Sequence, residues 1–453
     1  MVDNFKPKWT AATMDHLPRS IILFLLPFST IFKLKKSFLK ILLLFIGATI
    51  CQGGRTICNC LKSLGMQGEV TFANYHHLLS RNQYSLKDAA KILMELVLPL
   101  VNQSQIILVI DEHLERRRGK KIKDKAIYRD PVASSNKWKV KCFGLKWVVV
   151  SILVTFSWSK RPFALPIFCA LRSPEDHPKN LKRKTRSGIN IACQILVVIR
   201  RWFPDLNFIV VGDGDYAKVK LCLTCKRLSM QLITRMRVDA RLHDYPDQSI
   251  TKRGRKKKLG KRLEWPLEGW KNVCVNWYGG QLKELSATAK NCFWLAGKKS
   301  EIVSLKAIWV NMRLNDPIIL MTTNLEMTIP EIISIFVTRW NLEVTFRECR
   351  DYLGVETQRQ WSDLAIARTT PLLFALYTLI VLMGNTIYQQ QGIHAEQTAW
   401  YHKTHLTFSD LLAAVRNEIE DINQIRNSLL NSEFLKSTFY KGGISISSST
   451  LVA

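Results

Sequence analysis

Apolar positions in the first hundred residues recur with a helical period and are interrupted by glycine. Residues 41–50 form an apolar run that ends before Gly53 and Gly54, and shorter helical patterns follow up to residue 101. Short helices separated by glycine are typical of a helix-turn-helix-like DNA reader, and they suit a plain helical bundle equally well. We expect residues 1–103 to form a helical DNA-binding domain.

Continuous apolar runs rich in β-branched residues begin at about residue 104. Residues 105–110 and 206–211 are such runs, which is typical of strands buried on both faces of a sheet. Similar but less regular patterns predict two further strands and a helix, over residues 147–156, 163–170 and 189–201 respectively. This order predicts an α/β fold with a mixed sheet, and residues 104–218 form the first part of its core.

The composition changes again over residues 219–324. This segment has short strand-like runs and five tryptophans, which we expect to be mostly core residues. We predict a β-rich insertion that lies outside the main sheet. It contains a basic tract of eleven residues, eight of them cationic: Lys252, Arg253, Arg255, Lys256, Lys257, Lys258, Lys261 and Arg262. A glycine-bearing basic tract is expected to be an exposed loop that contacts phosphates.

The clearest helix signal begins at Thr328. Glu331 completes a capping box with this threonine, and Gly354 marks the end of the helix. We expect residues 325–392 to form the second part of the core, and residues 393–453 to form a helical C-terminal tail.

The charge balance points to a polyanionic partner. The chain has 66 Lys and Arg residues against 36 Asp and Glu residues, a formal net charge of +30. Such an excess must lie on the surface, where it attracts DNA, RNA or an anionic membrane. The apolar run 369–388 is long enough to cross a bilayer, but it contains Pro371 and Asn385, so we interpret it as a buried helix.

Cysteine usage and the N-terminus bear on the compartment. The eleven cysteines form no disulfide framework, and the single CxxC pair, Cys222 and Cys225, lacks further ligands at zinc spacing. The chain begins without a recognisable signal peptide. We expect a cytoplasmic protein associated with the nucleoid.

Two aspartates follow the two buried strand patterns. Asp111 comes directly after residues 105–110, and Asp213 comes after Gly212 at the end of the second run. Open α/β sheets place their ligands at the carboxyl ends of strands, and carboxylates brought together there need a bound cation. Either aspartate taken alone is more often a turn residue.

A third carboxylate is predicted on the later helix. Phe336, Arg339, Glu343 and Arg350 are spaced so that they share one face of about 60°. A carboxylate for a metal ion and guanidiniums for phosphate oxygens suit phosphodiester cleavage. An ordinary ion pair between Arg339 and Glu343 on a solvated face is the alternative.

These four residues carry a resemblance to a known family. Their spacing resembles the Tyr–Arg–Glu–Lys signature of bacterial insertion-sequence transposases, which belong to the DDE superfamily and have a ribonuclease-H-like core. The strings 339–348, 108–111 and 211–216 are similar to three motifs of that family. Phe336 and Arg350 replace the family's Tyr and Lys, which removes a hydroxyl and changes the geometry of one cation.

The resemblance implies a fold, an activity and ligands. The fold is a ribonuclease-H-like mixed sheet flanked by helices. The activity is that of a transposase, in which Asp111, Asp213 and Glu343 hold two Mg²⁺ ions, with Mn²⁺ as the substitute, roughly 3.5–4 Å apart. Arg339 and Arg350 would bind phosphates. The implied partners are double-stranded DNA, both terminal inverted repeats and target, and a second copy of the chain.

Three further acidic residues lie close in sequence to the predicted metal ligands. Asp215 is the alternative to Asp213, because a period of two returns to the same strand face. We prefer Asp213, which precedes Tyr216 at the family's spacing. Glu112 is expected to point away from Asp111, and Glu348 is expected to be solvated.

Two rival functions remain open. One is a non-catalytic DNA-binding protein, such as a decayed transposase, which would bind DNA without Mg²⁺-dependent nicking. The other is a basic membrane-associated protein.

Overall fold

The structure is a computed structural model that divides into two compact units. It describes residues 18–101, 104–135, 137–174, 187–247, 257–264, 268–296, 301–311 and 318–419. The first unit comprises Met1–Ile92, Tyr352–Thr369 and Leu379–Ala453. The second unit comprises Leu93–Asp351 and Thr370–Thr378.

Helices occupy most of the N-terminal region, as its apolar period predicts. They are α1 (Arg19–Leu25), α2 (Lys35–Ile50), α3 (Ile57–Ser63), α4 (Ala73–Ser80) and α5 (Leu86–Val97). Most of α2 is buried, so it forms the centre of this bundle. Helices thus predominate over the described residues 18–101, whereas a separate DNA-binding domain over residues 1–103 stays a prediction.

The first unit is held together by arginines that bind backbone carbonyls. Arg55 donates to the carbonyl oxygens of Ala48 at 3.1 Å and Tyr352. Arg368 donates to the carbonyl of Leu79 at 2.9 Å. Leu79 lies in the last turn of α4, where carbonyl groups have no hydrogen-bond partner within the helix. Segments that are distant in sequence are thereby joined through helix ends.

The second unit is built on one sheet of eleven strands. These are β1 (Ile106–Arg116), β2 (Ala126–Arg129), β3 (Lys141–Val154), β4 (Phe163–Arg172), β5 (Phe208–Gly212), β6 (Gln231–Met236), β7 (Leu242–His243), β8 (Lys271–Asn276), β9 (Leu282–Ala296), β10 (Glu301–Val310) and β11 (Ile318–Thr322). The remaining helices within the described residues are α6 (Gly188–Trp202), α7 (Val219–Arg227), α8 (Ile329–Thr338), α9 (Trp340–Leu353), α10 (Asp363–Gln391) and α11 (Phe408–Asn417).

The sheet is mixed, which confirms the predicted fold class. Strand β1 pairs antiparallel with β3 and parallel with β5, and β5 pairs parallel with β6. In the parallel pair Ile110 lies opposite Gly212. The strands that lead to Asp111 and Asp213 are therefore adjacent in one sheet, as expected.

The strand-rich segment continues this sheet, so the expectation that residues 219–324 lie outside it is wrong. Strand β6 pairs with β5, and β11, β10 and β9 follow β6 in antiparallel order. The physical reason is edge pairing: β5 and β6 would otherwise present unpaired backbone groups, and the added strands satisfy them.

The tryptophans of this segment are less buried than expected. Trp309 is buried, whereas Trp270, Trp277 and Trp294 are only half-buried, and Trp265 lies outside the described residues. Strands that extend a sheet outward bury fewer side chains than strands at its centre.

Helix α10 accounts for the long apolar run near the end of the chain. It is long and apolar enough to cross a membrane, but 83% of its most apolar window is buried inside the protein. The hydroxyls of Thr370 and Thr378 donate to the Glu115 carboxylate and the Pro166 carbonyl at 2.8 and 2.7 Å. This segment thus packs as a core helix.

Candidate active site

Asp111 lies inside a strand, not directly after one. Strand β1 continues to Arg116 because its antiparallel pairing with β3 extends beyond the parallel pairing with β5. Asp111 is the first residue past the parallel ladder, where Oδ1 accepts from the Glu112 backbone N–H at 2.7 Å. Its carboxylate is therefore fixed at the edge of the parallel part of the sheet.

Asp213 begins the short 3₁₀ turn Gly214–Tyr216 that follows β5. Its side chain accepts a hydrogen bond from the Asp215 backbone N–H at 3.0 Å. The Thr234 hydroxyl donates to the Asp213 carbonyl and so ties this turn to β6. Asp213 is half-buried and Asp215 is exposed.

Glu343 and Arg339 come from the junction of two helices. The single helix predicted to begin after Thr328 is divided into α8 and α9, with Arg339 between them. The Arg339 guanidinium contacts Asp111 Oδ2 through Nη1 at 3.1 Å and Glu343 Oε1 through Nη2 at 2.9 Å. One cation therefore bridges two of the predicted carboxylates.

All three carboxylates act on the charge of this guanidinium. Burial and the neighbouring Asp213, with a smaller effect of Glu343, raise the pKa of Asp111 to about 7, although Arg339 opposes them. Burial also raises the pKa of Asp213. Burial alone would lower the pKa of Arg339, but Asp111, Glu343 and Asp213 raise it overall. Asp215 also lines the cleft, so the choice between Asp213 and Asp215 stays a prediction.

The donor set fits a hard divalent cation by its chemistry. Three carboxylates that repel each other offer the oxygen ligands that Mg²⁺ prefers. Among the described residues, however, no three His, Cys, Asp or Glu side chains are close enough to hold a metal ion in this arrangement. Arg339 supplies the compensating charge between Asp111 and Glu343 instead.

A cleft of about 700 Å³ opens in front of these groups. The predicted face of the helix is reproduced in part, because Arg339, Glu343 and Arg350 all line the cleft. Phe336 does not line the cleft. It is half-buried in α8, which ends at Thr338, so it is not on the same helix as Glu343 and Arg350.

The cleft also contains cations that the sequence analysis missed. They are Arg116, Arg129, Lys146, Arg172, Lys218 and Arg347. Arg347 follows Glu343 by four residues, so helical spacing was a usable signal for it. Lys218 directly precedes α7. The other four lie on β1 to β4, and their approach to the cleft depends on the order of the strands in the sheet. Within the described residues, Arg347 and Arg350 form no ion pair, which leaves both guanidiniums available to phosphates.

Glu112 does not point away from the site as expected. Glu112 pairs with Lys146 at 2.9 Å and Arg172 at 3.3 Å, so it neighbours Asp111 in sequence but has its own partners. It nevertheless borders the cleft instead of pointing away from it.

The expectation that Glu348 is solvated is wrong. It is only 7% exposed, and it accepts from Arg161 at 2.8 Å and from the Tyr377 hydroxyl at 2.6 Å. Its helix face is covered by other elements, which helical spacing alone does not reveal.

The basic tract is described only in its second half. Lys252, Arg253, Arg255 and Lys256 lie outside the described residues. The later cations, Lys257, Lys258, Lys261 and Arg262, are exposed, as expected. The end of the tract is attached to β7, where the Leu263 N–H donates to the Leu242 carbonyl at 2.9 Å. Phosphate binding by this tract stays a prediction.

Comparisons with known proteins bear on this arrangement. Residues 27–298, more than half of the chain, match the model of a family described as DDE superfamily endonuclease. The match includes Asp111 and Asp213 and ends before Glu343. No curated protein matches the chain.

A looser likeness exists among solved structures. The cryo-EM structure of a piggyBac transposase synaptic complex with hairpin DNA is similar at a TM-score of 0.41 and 11% identity. The likeness covers 91% of this chain and 77% of the other. A similarity of this size is too low to assign residues or activity.

Proposed function

The chain belongs to the DDE superfamily endonucleases, and from that premise we propose that it is a DNA transposase that cuts transposon ends and joins them to target DNA. The observation that carries this proposal is the pairing of Asp111 and Glu343 with one guanidinium, in a cleft that Asp213 also lines. The finer assignment is to the bacterial insertion-sequence branch with the Tyr–Arg–Glu–Lys signature. Its support is the spacing of Arg339, Glu343 and Arg350.

The three carboxylates would hold two divalent ions, Mg²⁺ or Mn²⁺. When bound, these ions would activate the attacking water or 3′ hydroxyl and stabilise the leaving oxygen. Without them, Arg339 pairs with both Asp111 and Glu343 and offsets part of their charge, and its guanidinium must move from this bridge before both carboxylates are available. It could then bind a phosphate oxygen beside the reacting one.

The DNA would lie along the basic cleft. Arg350 and Arg347 would contact phosphates near the carboxylates, and the tract at residues 252–262 would contact phosphates further away. The net charge of +30 supplies most of the affinity. We further propose a homodimer in which each copy holds one transposon end, in the cytoplasm on the nucleoid.

Mg²⁺-dependent nicking of a duplex that carries the element's own terminal repeat tests this proposal. Asp111→Asn, Asp213→Asn and Glu343→Gln should each abolish nicking and leave DNA binding intact, since affinity comes chiefly from the basic surface. Their effects should be non-additive, because the residues act as one unit. Glu326→Gln, an exposed residue outside the cleft lining, is the matched control.

Other outcomes have defined meanings. Loss of nicking in Asp215→Asn, with nicking retained in Asp213→Asn, would show that Asp215 and not Asp213 is the second metal ligand. A wild-type chain that binds the repeat but never nicks it would contradict the enzymatic proposal. It would favour a non-catalytic DNA-binding protein, and the Arg339 bridge would then be a permanent ion pair.

A further inference from the structure

The hairpin formed by β2 and β3 exposes large apolar side chains beside the cleft. Ile127 lies opposite Phe143 in the register, and these residues are 58% and 47% exposed. Trp138, in the loop between the two strands, is 74% exposed. Strand β2 is an edge strand of the sheet. An exposed apolar edge is normally avoided, so its presence here indicates a contact surface.

Cations are interleaved with these apolar groups. Residues 120–141 contain eight Lys or Arg residues and two aspartates. The Lys125 ammonium lies 4.8 Å from the centre of the Phe143 ring, and Arg129 lies opposite Lys141. Protein–protein interfaces are depleted in lysine at their apolar centres. Aromatic rings separated by cations instead suit nucleic acid, in which bases alternate with phosphates.

The loop that carries Trp138 is held by specific hydrogen bonds. The Trp138 N–H donates to Ser135 Oγ at 3.0 Å, and the Trp138 carbonyl accepts from the Ser135 N–H at 2.8 Å. Asp130 accepts from the Val132 and Ala133 N–H groups and from Arg116. The indole is thus presented outward by a built turn, which reduces the entropy cost of binding.

The hairpin is continuous with the catalytic cleft. Arg129, Asp130 and Val132 line the same cleft as Asp111 and Glu343. Arg116 pairs with Asp130 in the loop, and it lies on β1, the strand that also carries Asp111. A DNA strand held at the carboxylates would therefore pass the hairpin.

We propose that the β2–β3 hairpin is a base-contacting wedge, in which Trp138 stacks on an unpaired base of the cleft-bound DNA while neighbouring lysines bind flanking phosphates. This inference rests on the proposed function, because it takes the occupant of the cleft to be DNA. An aromatic side chain on a cationic loop can replace the stacking interactions that a base loses when it leaves the duplex. The wedge would hence favour DNA that is already distorted near the cut.

Equilibrium binding of the full chain to two labelled duplexes tests the wedge. One duplex is fully paired, and the other has a single unpaired base that carries 2-aminopurine, with EDTA present to prevent cleavage. We expect the wild-type chain to prefer the second duplex and to quench 2-aminopurine on stacking. Trp138→Ala should remove the quenching and weaken binding to the unpaired duplex by about fivefold to a hundredfold. Trp138→Phe should retain most of both.

Controls separate this inference from the function on which it rests. Trp400→Ala removes another highly exposed tryptophan and should change neither signal. Wild-type preference and quenching in Trp138→Ala, with nicking intact, would overturn the wedge alone. An equal loss on both duplexes would also overturn it, because Trp138 would then contact only the backbone. Trp138-dependent binding to phosphatidylserine vesicles, with DNA binding unchanged, would instead make the hairpin a membrane contact. A wild-type chain that binds neither duplex would overturn both proposals.

Discussion

Buried carboxylates in this protein are matched individually to their partners. Glu348 accepts from Arg161 and Tyr377, and Glu115 accepts from the Trp147 indole at 2.7 Å and from Thr370. Burial, with Glu348 beside it, raises the pKa of Tyr377 well above its usual range, so the phenol stays a donor. Glu115 is on the same strand as Asp111, and Glu348 is on the same helix as Glu343, so these pairs fix the elements that carry the site.

Removal of the Glu348 carboxylate should therefore destabilise the protein. Glu348→Ala leaves Arg161 and Tyr377 without their shared acceptor, and we expect a loss of about 3 kcal/mol in the free energy of unfolding. This is the lower end of the range for buried pairs, because Arg161 keeps partial access to water. Urea denaturation measures the loss.

The exposed Glu326→Ala provides the control and should stay within about 0.5 kcal/mol of wild type. Glu348→Gln keeps an acceptor for Tyr377 and should lie between them. A Glu348→Ala variant as stable as wild type would show that water replaces the carboxylate.

Element boundaries decide how the site is assembled. Arg339 bridges Asp111 and Glu343 from the junction of α8 and α9. At this junction the Thr338 hydroxyl donates to the Ile335 carbonyl at 2.6 Å, and the Asn341 amide donates to the Thr338 carbonyl at 2.9 Å. Side chains that bond the local backbone compete with helical hydrogen bonds. Such competition accounts for the break that the capping pattern and the apolar period did not reveal.

The end of α9 depends on a glycine. Gly354 has φ +64°, and a Cβ there would lie 2.9 Å from Thr357 Oγ1 and 3.2 Å from Arg55 Cδ. Gly354→Ala should lower the free energy of unfolding by about 1–2 kcal/mol, since an L side chain strains this conformation. Gly53→Ala is the matched control, because its Cβ would meet nothing within 4 Å. Thermal unfolding of the two variants makes the comparison, and an equal effect would argue against strain at Gly354.

Sequence reasoning succeeded where the signal is local. The apolar runs before Asp111 and Asp213 predicted two neighbouring buried strands, and the spacing of Arg339, Glu343 and Arg350 predicted a shared face. It failed where a partner is distant in sequence. The pairing of β6 with β5 placed the strand-rich segment in the sheet, and Tyr377 covered the face of Glu348. No local pattern encodes either interaction.

At the scale of the whole molecule, the dominant property is positive charge. Described cations lie in the cleft, on the β2–β3 hairpin and in the second half of the basic tract. Each phosphate that the protein neutralises releases counterions, so affinity for DNA should fall steeply with salt.

Neutralising the tract tests its part in this behaviour. Replacement of the eight cations between Lys252 and Arg262 by glutamine should weaken binding to all DNA sequences alike. The slope of log affinity against log salt should flatten by about one unit for each phosphate that the tract no longer neutralises. Binding titrations at several salt concentrations give this slope. An unchanged slope would mean that the tract is merely solvated.

Helix α10 has a consequence for shortened copies of the gene. Its residues 370–378 belong to the unit of the catalytic sheet, although they follow the last strand by almost fifty positions. A stop codon before residue 370 would take away Thr370, Tyr377 and Thr378, the donors to Glu115, Glu348 and the Pro166 carbonyl. A copy cut short in this way would encode a fragment in which the buried acids Glu115 and Glu348 lack these donors. Such a fragment would be prone to misfold and be degraded. In the proposed homodimer, such a remnant would contribute few folded subunits.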